Sequence, residues 1–424
     1  MIDPKIIRTE PEKIITMLKN RNVEVDITEL LGIDKKRREL ITELESYKMK
    51  RNKISQEIST KKRQDADISK TLTEMKSIST KIEELQDIVK ISQNDYNNRL
   101  ESIPNLLHES VPIGKDEKAN KEIENWKPDT GLNKNSQDHI ELSEKNDLID
   151  LERASKISGS RFYFLKNDLV RMNYALIAFA LDYINKKGYT MLQPPYLMNR
   201  KPMSGAVILS DFEEVIYKIE DQDLYLIGTS EHALAAMHSE EIFSIEELPK
   251  KYVSISPCFR KEAGSHGRDT KGIFRVHQFE KVEIFSITDP ESSWTRHEEI
   301  LEDVKQFYKE LEIPHRIMLL SSGDMGKVAS KTFDIEAWLP GQNNYRELVS
   351  CSNCTDFQSR RLGIKFRNKP HEESILTHTL NSTLTATERT LIAILENFQN
   401  EDGSITIPKV LRTYMNNQKE ISST

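Results

Sequence analysis

Residues 252–285 read YVSISPCFRKEAGSHGRDTKGIFRVHQFEKVEIF, in which two segments with alternating apolar residues flank a loop containing three glycines. This pattern predicts an antiparallel hairpin, because successive side chains of a strand point to opposite faces. One face of the second strand would carry Arg275, His277, Phe279, Lys281 and Glu283. Cations, an aromatic ring and an acid in one row indicate a nucleotide-binding surface; the alternative is a solvated face with cross-strand ion pairs.

The first segment of this hairpin places Arg260 and Glu262 on one face, where they would complete the floor of the binding surface. The whole stretch resembles motif 2 of class II aminoacyl-tRNA synthetases, in the FRxEAG…RVHQFxKVE form of seryl-tRNA synthetases. A match of this length with intact loop spacing is more specific than a single glycine-rich fragment.

The resemblance assigns a role to each polar residue of the hairpin. Arg260 would hold the ATP α-phosphate, and Glu262 would meet the adenine amino group. Phe279 and Arg275 would sandwich the adenine ring, and Glu283 would bind the serine ammonium group. The chemistry of each side chain suits its role, because arginine forks onto phosphate, aromatic and guanidinium planes stack on adenine, and carboxylates pair with ammonium groups.

Length and composition indicate an intracellular protein of several domains. A chain of 424 residues should form two or three domains. The net charge of −7 argues against a protein coated with nucleic acid. Three cysteines cannot build a disulfide framework, and we expect Cys351 and Cys354 to be buried thiols. The N-terminal MIDPKIIRTEPEK has no long apolar run, so we expect no secretory signal, no membrane helix and a cytoplasmic location.

An antiparallel helical hairpin is predicted near the N-terminus. Residues 1–32 suggest a short helix and then a strand-like VEVDITELLG ending at Gly32, but residues 33–103 contain neither glycine nor proline. Two seams with coiled-coil spacing flank the polar turn KKRQDAD. The first seam comprises Leu40, Leu44, Tyr47, Arg51, Ile54 and Ile58. The second comprises Ile68, Leu72, Met75, Ile78, Ile82, Leu85, Val89 and Tyr96, with a slip near Ile78.

This arm is locally basic, since residues 33–63 contain 11 Lys and Arg against 5 Asp and Glu. A solvated coiled coil also needs charged outer faces, and from charge alone that interpretation is favoured over RNA binding. Seryl-tRNA synthetases carry an N-terminal arm that grips serine tRNA, so the resemblance shifts the interpretation towards RNA. Recognition of RNA helices by shape and phosphate suits a basic rod.

The resemblance also divides the chain into domains. We predict a tRNA-binding domain at residues 1–110 with the arm at about 33–100, a linker at 111–137 and a class II catalytic domain at 138–424. A helix over residues 167–187 would bury Leu169, Met172, Leu176, Ala180 and Ile184 and stop at Gly188. With the following GYTMLQPPYLM it resembles motif 1, which forms the homodimer interface in class II enzymes.

Further site residues follow from family motifs elsewhere in the chain. Thr229, Ser230 and Glu231 match a serine-binding turn, although the triplet could equally cap a helix. The resemblance assigns ATP to Lys261, Val276, Glu347, Leu348, Val349, Ser350 and Arg389, in addition to the hairpin residues. It assigns Mg²⁺ to Glu347 and Ser350, whose oxygens are suitable ligands. Arg260, Arg389 and Glu347 would be the catalytic residues.

The region of motif 3 departs from the common bacterial pattern Asn-Gly-Ser-Gly-Leu-Ala, since this chain has Asn-Ser-Thr-Leu-Thr-Ala from Asn381. The resemblance assigns L-serine to Asn381 and Thr383. Thr383 aligns with the residue that meets the serine hydroxyl, but Ser382 and Thr385 are close enough to be alternatives.

The sequence therefore predicts an α+β fold, with an antiparallel-sheet class II synthetase catalytic domain and an N-terminal antiparallel coiled-coil arm. The implied activity is ATP- and Mg²⁺-dependent activation of L-serine and its transfer to serine tRNA. Two rivals are a ligase that loads amino acids onto a carrier protein and a non-catalytic regulatory tRNA-binding paralogue. The first would lack the long arm, and the second would be expected to lose Arg260, Glu283 or Arg389. Whether selenocysteine tRNA is also charged is left open.

Overall fold

The computed structural model describes residues 1–208, 215–262 and 271–422. Most of the glycine-containing loop of the predicted hairpin, residues 263–270, lies outside the described residues. The chain divides into two compact units. One unit comprises residues 2–19 and 23–103, and the other comprises Met1, residues 20–22 and residues 104–424.

All secondary structure elements of the smaller unit are helices. Its helices are α1 (Pro4–Thr9), α2 (Pro11–Asn20), α3 (Ile27–Arg63) and α4 (Ser69–Ser102). The strand predicted around residues 23–32 is wrong, because α3 begins at Ile27. Asp26 caps α3 by accepting a hydrogen bond from the Glu29 N–H at 2.9 Å, and Ile27 and Leu30 are buried on one side of its first turn.

The helices α3 and α4 form the predicted arm, with a connection at residues 64–68. The predicted seam residues Leu44, Ile54, Ile78, Ile82 and Leu85 are buried, and Leu40, Tyr47, Ile58, Met75 and Val89 pack against them.

The predicted seam residue Arg51, the one polar position in the seam, is exposed, and the seam also differs from the prediction beside the turn. Leu72 is 47% exposed, whereas its neighbour Thr71 is buried. The Thr71 hydroxyl accepts a hydrogen bond from Lys61 Nζ at 3.1 Å. Unbroken steps of four and three back from Ile82 through Ile78 and Met75 lead to Thr71. The predicted slip near Ile78, which followed the apolar residue Leu72, is therefore wrong.

The larger unit is built on a mixed sheet to which eight strands of the described residues contribute. Across the sheet they are β1 (Lys121–Trp126), β10 (His315–Leu319), β11 (Lys331–Leu339), β12 (Asn344–Thr355), β15 (His378–Ala386), β9 (Gln278–Thr288), β8 (Lys250–Phe259) and β4 (Thr190–Leu192). Neighbouring strands are antiparallel except β4, which is parallel to β8. The predicted α+β class with an antiparallel sheet is confirmed.

Short strands extend the larger unit beyond this sheet. They are β2 (Ile149–Asp150) with β3 (Phe164–Leu165), β5 (Leu197–Met198) with β6 (Tyr225–Leu226), β16 (Ile405–Thr406) with β17 (Glu420–Ile421), and the group β14 (Ile375–Leu376), β13 (Lys365–Arg367) and β7 (Ile242–Ser244). The strand β1 falls inside residues 111–137, for which we predicted a linker. The unit that contains the sheet resumes at Pro104, so its extent differs from the predicted boundary at residue 138.

Eight further helices belong to the larger unit within the described residues. They are α5 (His139–Lys145), α6 (Leu151–Ser158), α7 (Asn167–Asn185), α8 (Arg200–Ala206), α9 (Glu231–Ala236), α10 (Ser293–Glu310), α11 (Phe357–Leu362) and α12 (Thr387–Asn397). The predicted apolar face of α7 is confirmed, because all five of its named residues are buried. Gly188 follows the helix with φ +80°, a conformation that glycine adopts without strain.

The main hydrophobic core lies between the sheet and the helices α7, α10 and α12. It includes Val282 and Ile284 of β9 together with Leu176, Phe307 and Leu391 of the three helices. Since strand side chains alternate, the intervening residues of β9 point to the other face of the sheet. That face carries Lys281 and Glu283 and lines the cavity described next.

Candidate active site

A cleft of about 320 Å³ lies on this face of the sheet, and it brings together almost all predicted site residues. The residues that line it are Thr229, Glu231, Arg260, Glu262, Ile273, Phe274, Arg275, Val276, Phe279, Lys281, Glu283, Glu347, Leu348, Val349, Ser350, Asn381, Thr383, Ala386, Glu388 and Arg389. They come from β9, β12 and β15, from the segments that follow β8 and precede β9, and from the starts of α9 and α12 with the turn before α9.

The predicted hairpin exists, but its paired strands are shorter than predicted. The ladder ends at the pair Phe259 and Gln278, so Arg260, Glu262 and Arg275 lie beyond it. Glu262 has φ +50°, which is incompatible with a continued strand. The prediction that strand alternation aligns Arg260 with Glu262 is therefore wrong, and both residues reach the cleft from loop backbone.

At one end of the cleft, one guanidinium group lies over an aromatic ring and a second is paired with an acid. Arg275 Nη1 donates to Glu262 Oε2 at 2.7 Å. The Arg260 guanidinium carbon lies 5.2 Å from the centre of the Phe279 ring, and its Nε donates to the Gly228 carbonyl at 3.0 Å. These contacts fix Arg260 over a flat apolar ring and hold Arg275 in an ion pair at the same end of the cleft. Planar cations with an aromatic ring suit a purine and its phosphates.

A third arginine, Arg389 of α12, lies beside Glu347, the one acid of β12. Its Nη1 is 3.1 Å from Glu347 Oε1, and its guanidinium carbon is 4.9 Å from the centre of the Phe274 ring. The positive charge of Arg389 lowers the pKa of Glu347 and outweighs the opposing effect of desolvation. Glu347 therefore stays ionised, and Ser350 Oγ donates to it at 3.3 Å.

One buried acid behind β12 was not predicted. Asp334 of β11 lies opposite Ser350 in the sheet. Burial, and then the charge of Glu347, raises the pKa of Asp334 well above its usual range. Its Oδ1 has no hydrogen-bond partner among the described residues. An incompletely satisfied carboxyl group therefore lies next to Ser350 in the sheet, although Asp334 is not among the described residues that line the cleft.

The other end of the cleft holds two acids and one lysine. Lys281 Nζ lies 2.6 Å from Glu283 Oε2, and both side chains are buried. Thr383 Oγ1 donates to the same Glu283 oxygen at 3.1 Å. Burial, and then the charge of Glu283, raises the pKa of Glu231 to about 7. An ammonium group would offset this excess of acids, since ammonium and carboxylate groups pair closely.

Among the three candidate hydroxyls of β15, only Thr383 lines the cleft. Ser382 Oγ donates to the Ser350 carbonyl at 3.1 Å, and the Thr385 hydroxyl contacts the Thr390 hydroxyl at 2.9 Å. The pairing of β15 with β9 shifts between Thr383 and Thr385. This bulge separates two residues that an unbroken strand would place on one face.

The turn before α9 contributes both to the start of the helix and to the lining of the cleft. Thr229 Oγ1 accepts the Glu231 N–H at 3.2 Å, which helps to cap the helix, while Thr229 and Glu231 also line the cleft. Ser230 is fully buried, and neither Ser230 nor Lys261 is among the described residues that line it. The Lys261 N–H donates to the Val215 carbonyl at 2.9 Å.

Several lining residues were missing from the predicted site: Ile273, Phe274, Lys281, Ala386 and Glu388. Lys281 lies on the same strand face as Phe279 and Glu283, and this alternation would have been sufficient to predict it as a site residue. Glu388 reaches the cleft through long-range contacts, since its carboxylate accepts the Glu280 N–H and the Tyr163 hydroxyl. Burial raises the pKa of Glu388 to about 7.

Comparison with known families places this cleft in a defined class. The family model described as tRNA synthetase class II core domain (G, H, P, S and T) matches residues 216–398. This range includes every residue that lines the cleft. The cleft and the six strands of the main sheet that lie within this range therefore belong to the core of a class II tRNA synthetase.

Matches that extend over the full chain identify the family within this class. The model for the seryl-tRNA synthetase N-terminal domain matches residues 1–107. The serine–tRNA ligase of Nitrosopumilus maritimus is 55% identical over 421 residues, which covers 99% of this chain and 100% of the relative. The chain belongs to the seryl-tRNA synthetase family.

Solved structures support the same assignment. The crystal structure of seryl-tRNA synthetase from Pyrococcus horikoshii complexed with ATP matches with a TM-score of 0.91 and 44% identity, covering 100% of both chains. Cytoplasmic serine–tRNA ligase from Naegleria fowleri in complex with AMP matches with a TM-score of 0.83 and 38% identity, covering 98% of this chain and 96% of that one.

Proposed function

We propose that this chain is a serine–tRNA ligase, which activates L-serine with ATP and transfers the seryl group to the 3′ end of serine tRNA. One observation carries the proposal: a single cleft joins a cationic, aromatic end to an acidic end. The cationic end suits a nucleotide, and the acidic end suits an amino acid with a free ammonium group. All but two of the site residues predicted from the family resemblance line this cleft.

In the first step, the serine carboxylate attacks the α-phosphorus of ATP and pyrophosphate leaves. Arg260 binds the α-phosphate, where negative charge develops, and Arg389 binds the departing phosphates. Phe279 and Arg275 hold the adenine ring, and Glu283 holds the serine ammonium group. These side chains are fixed by their contacts with Gly228, Glu347 and Thr383, so little reorganisation is needed as charge moves.

Glu347 and Ser350 would hold Mg²⁺ together with ATP. The donors fit, because ionised Glu347, the Ser350 hydroxyl and the nearby Asp334 carboxyl supply only oxygen atoms. No group of three or more His, Cys, Asp or Glu side chains among the described residues could hold a metal ion. This fits an ion that takes its remaining ligands from phosphates and water. When bound, Mg²⁺ would neutralise charge on the transferring phosphates.

In the second step, the terminal ribose hydroxyl of tRNA attacks the seryl carbonyl carbon and AMP leaves. We assign no side chain as the general base, because positioning of the hydroxyl against the carbonyl can supply much of the rate acceleration. The basic face of the α3–α4 arm would bind serine tRNA through its phosphates. We place the reaction in the cytoplasm. No helix among the described residues is both long and apolar enough to cross a membrane.

We also propose a homodimer formed through motif 1. The strand β4 is an edge of the main sheet, and Met191 in it is 51% exposed. Ile157, Phe164 and Tyr174 are 73%, 45% and 62% exposed in the preceding elements. An apolar sheet edge is a natural pairing surface. Light scattering should give twice the chain mass of 49.1 kDa; a mass equal to one chain would refute the dimer.

Pyrophosphate exchange with each of the twenty amino acids tests the proposed activity directly. Serine alone should support rapid exchange, and serine tRNA should accept the activated product. Arg260→Ala should lower exchange turnover by about a hundredfold or more, because a donor to developing phosphate charge is lost. Absence of serine-dependent exchange in the folded wild-type protein would overturn the proposal, and near-normal exchange in Arg260→Ala would remove that residue from the site.

A further inference from the structure

Gln358 lies in α11, is fully buried and is not among the described residues that line the cleft. Its amide nevertheless touches the site, because Nε2 donates to Glu231 Oε1 at 2.8 Å and to the Ala206 carbonyl at 3.1 Å. On its other side, Thr379 Oγ1 donates to Gln358 Oε1 at 2.6 Å. Both partners of Nε2 are acceptors, so the amide has one acceptable orientation.

This arrangement determines how Glu231 faces the cleft. Asn381 Nδ2 donates to the same Glu231 oxygen, Oε1, at 3.2 Å. Both side-chain hydrogen bonds from described residues therefore end on Oε1. The second oxygen, Oε2, is left to accept from a ligand.

We infer that Gln358 is a positioning residue for the amino-acid substrate, which turns Glu231 so that Oε2 meets serine. The inference rests on the proposed function of the cleft. Gln358 itself touches no substrate, and it acts by holding one oxygen of the carboxylate. Two consecutive hydrogen bonds, from Thr379 to Gln358 and from Gln358 to Glu231, thus fix the orientation of the Glu231 carboxyl group at the acidic end of the cleft.

The electrostatics of the site agree with this role. Burial and the charge of Glu283 favour the protonated form of Glu231, whereas the hydrogen bond from Gln358 favours the ionised form. A carboxylate that is ionised and correctly turned can accept from the substrate hydroxyl or ammonium group. Loss of the amide donor would weaken both properties together.

Gln358→Met tests the inference, with Gln399→Met as a matched control. Gln399 is also buried in the larger unit, and it is hydrogen-bonded to the Gln137 and Glu396 carbonyls rather than to the cleft. In pyrophosphate exchange, Gln358→Met should raise the KM for serine about tenfold or more, as expected for a lost hydrogen bond to a charged group. The KM for ATP should change less than twofold, and Gln399→Met should leave both constants unchanged.

Gln358→Glu supplies a second readout and serves if the methionine variant does not fold. It preserves the shape of the side chain but places two carboxyl groups at hydrogen-bond distance, where they share a proton. The KM for serine, relative to that of wild type at the same pH, should then be raised more at pH 8 than at pH 6. A serine KM within twofold of wild type in both variants, or a parallel rise in the KM for ATP, would overturn the inference. Wild-type exchange with serine tests the proposed function separately.

Discussion

At the scale of single residues, the acidic end of the cleft is unusual because two carboxyl groups are buried beside one lysine. Lys281 pairs with Glu283, which leaves Glu231 with neutral donors as its hydrogen-bond partners, Gln358 and Asn381. Burying a second carboxylate without its own cation is costly. The raised pKa of Glu231, about 7, expresses that cost. Its protonation should therefore change within the pH range in which the enzyme is assayed.

We expect the KM for serine to fall about tenfold between pH 6 and pH 8, because Glu231 accepts from the substrate only when ionised. A carboxyl group with a pKa of about 7 is mostly protonated at pH 6 and mostly ionised at pH 8. The affinity for serine should therefore increase, and the KM decrease, as the pH rises. Steady-state pyrophosphate exchange at five or six pH values would measure it.

Glu231→Gln provides the control for this pH dependence. The other charged groups near Glu231 are Glu283, Lys281 and Arg260, and burial lowers the pKa of neighbouring His232 to about 3, so this imidazole is neutral throughout. The amide variant should bind serine weakly and show a flat profile. A tenfold dependence that persists in Glu231→Gln would assign the titration to another group.

The hydroxyl of Thr383 should select serine over alanine. Its Oγ1 bonds to Glu283 and lies in the cleft, whereas Ser382 and Thr385 make their hydrogen bonds elsewhere. Sites built to hydrogen-bond a substrate hydroxyl can reject the analogue without it by about 10⁴. Thr383→Val should lower the serine-to-alanine ratio of kcat/KM, measured by exchange. A ratio equal to that of wild type would exclude Thr383, and Ser382→Ala and Thr385→Val would serve as controls.

The contrast between Lys281 and Glu388 shows which site residues a sequence can predict. Strand alternation places Lys281 beside Phe279 and Glu283, so its position follows from local geometry. The Glu388 carboxyl group, by contrast, is held by hydrogen bonds from the Glu280 N–H and the Tyr163 hydroxyl, and both residues are far from Glu388 in the sequence. The hairpin ladder ends at Phe259, and the chain leaves the strand conformation by Glu262, which has a positive φ. The sequence did not predict this end, because a positive φ at a glutamate depends on its surroundings in the fold.

At the scale of elements, the arm shows how far periodicity predicts structure. The buried residues Ile78, Ile82 and Leu85 follow the predicted seam, since coiled-coil spacing is set by local helix geometry. Next to the turn, however, Thr71 is buried and Leu72 is exposed. Regular steps of four and three continue from Ile78 through Met75 to Thr71, so the predicted slip arose from choosing the apolar residue Leu72 over the polar residue that the spacing favours. The arm was therefore predictable as an element, but not at every position.

Two isoleucines of α4 provide a matched test of this seam. Ile82 is 3% exposed and Ile91 is 69% exposed. Ile82→Ala should destabilise the arm by about 2–5 kcal/mol, because a buried side chain is truncated. Amide hydrogen exchange of residues 69–102 should then accelerate about thirtyfold or more in Ile82→Ala, since local opening governs exchange. Ile91→Ala should exchange like wild type; equal acceleration in both variants would contradict the assigned seam.

At the scale of the whole molecule, charge is divided unevenly along the chain. The protein has a net charge of −7, yet residues 33–63 have an excess of six positive charges, 11 minus 5. The arm belongs to its own compact unit with its own apolar seam. All residues that line the cleft lie beyond residue 228. The two activities of the proposed enzyme can therefore be separated experimentally.

Replacement of residues 36–98 by a short Gly-Ser linker should leave serine activation nearly intact and abolish the charging of serine tRNA. The cleft would keep all its residues, whereas the cationic surface that binds RNA phosphates would be lost. Pyrophosphate exchange and tRNA charging should be measured side by side, with wild-type charging also followed as salt increases. Charging by the wild type should weaken steeply with salt, because RNA binding releases counterions. Undiminished charging by the truncated protein would refute the RNA-binding role of the arm, and loss of both activities would show that the arm supports the fold.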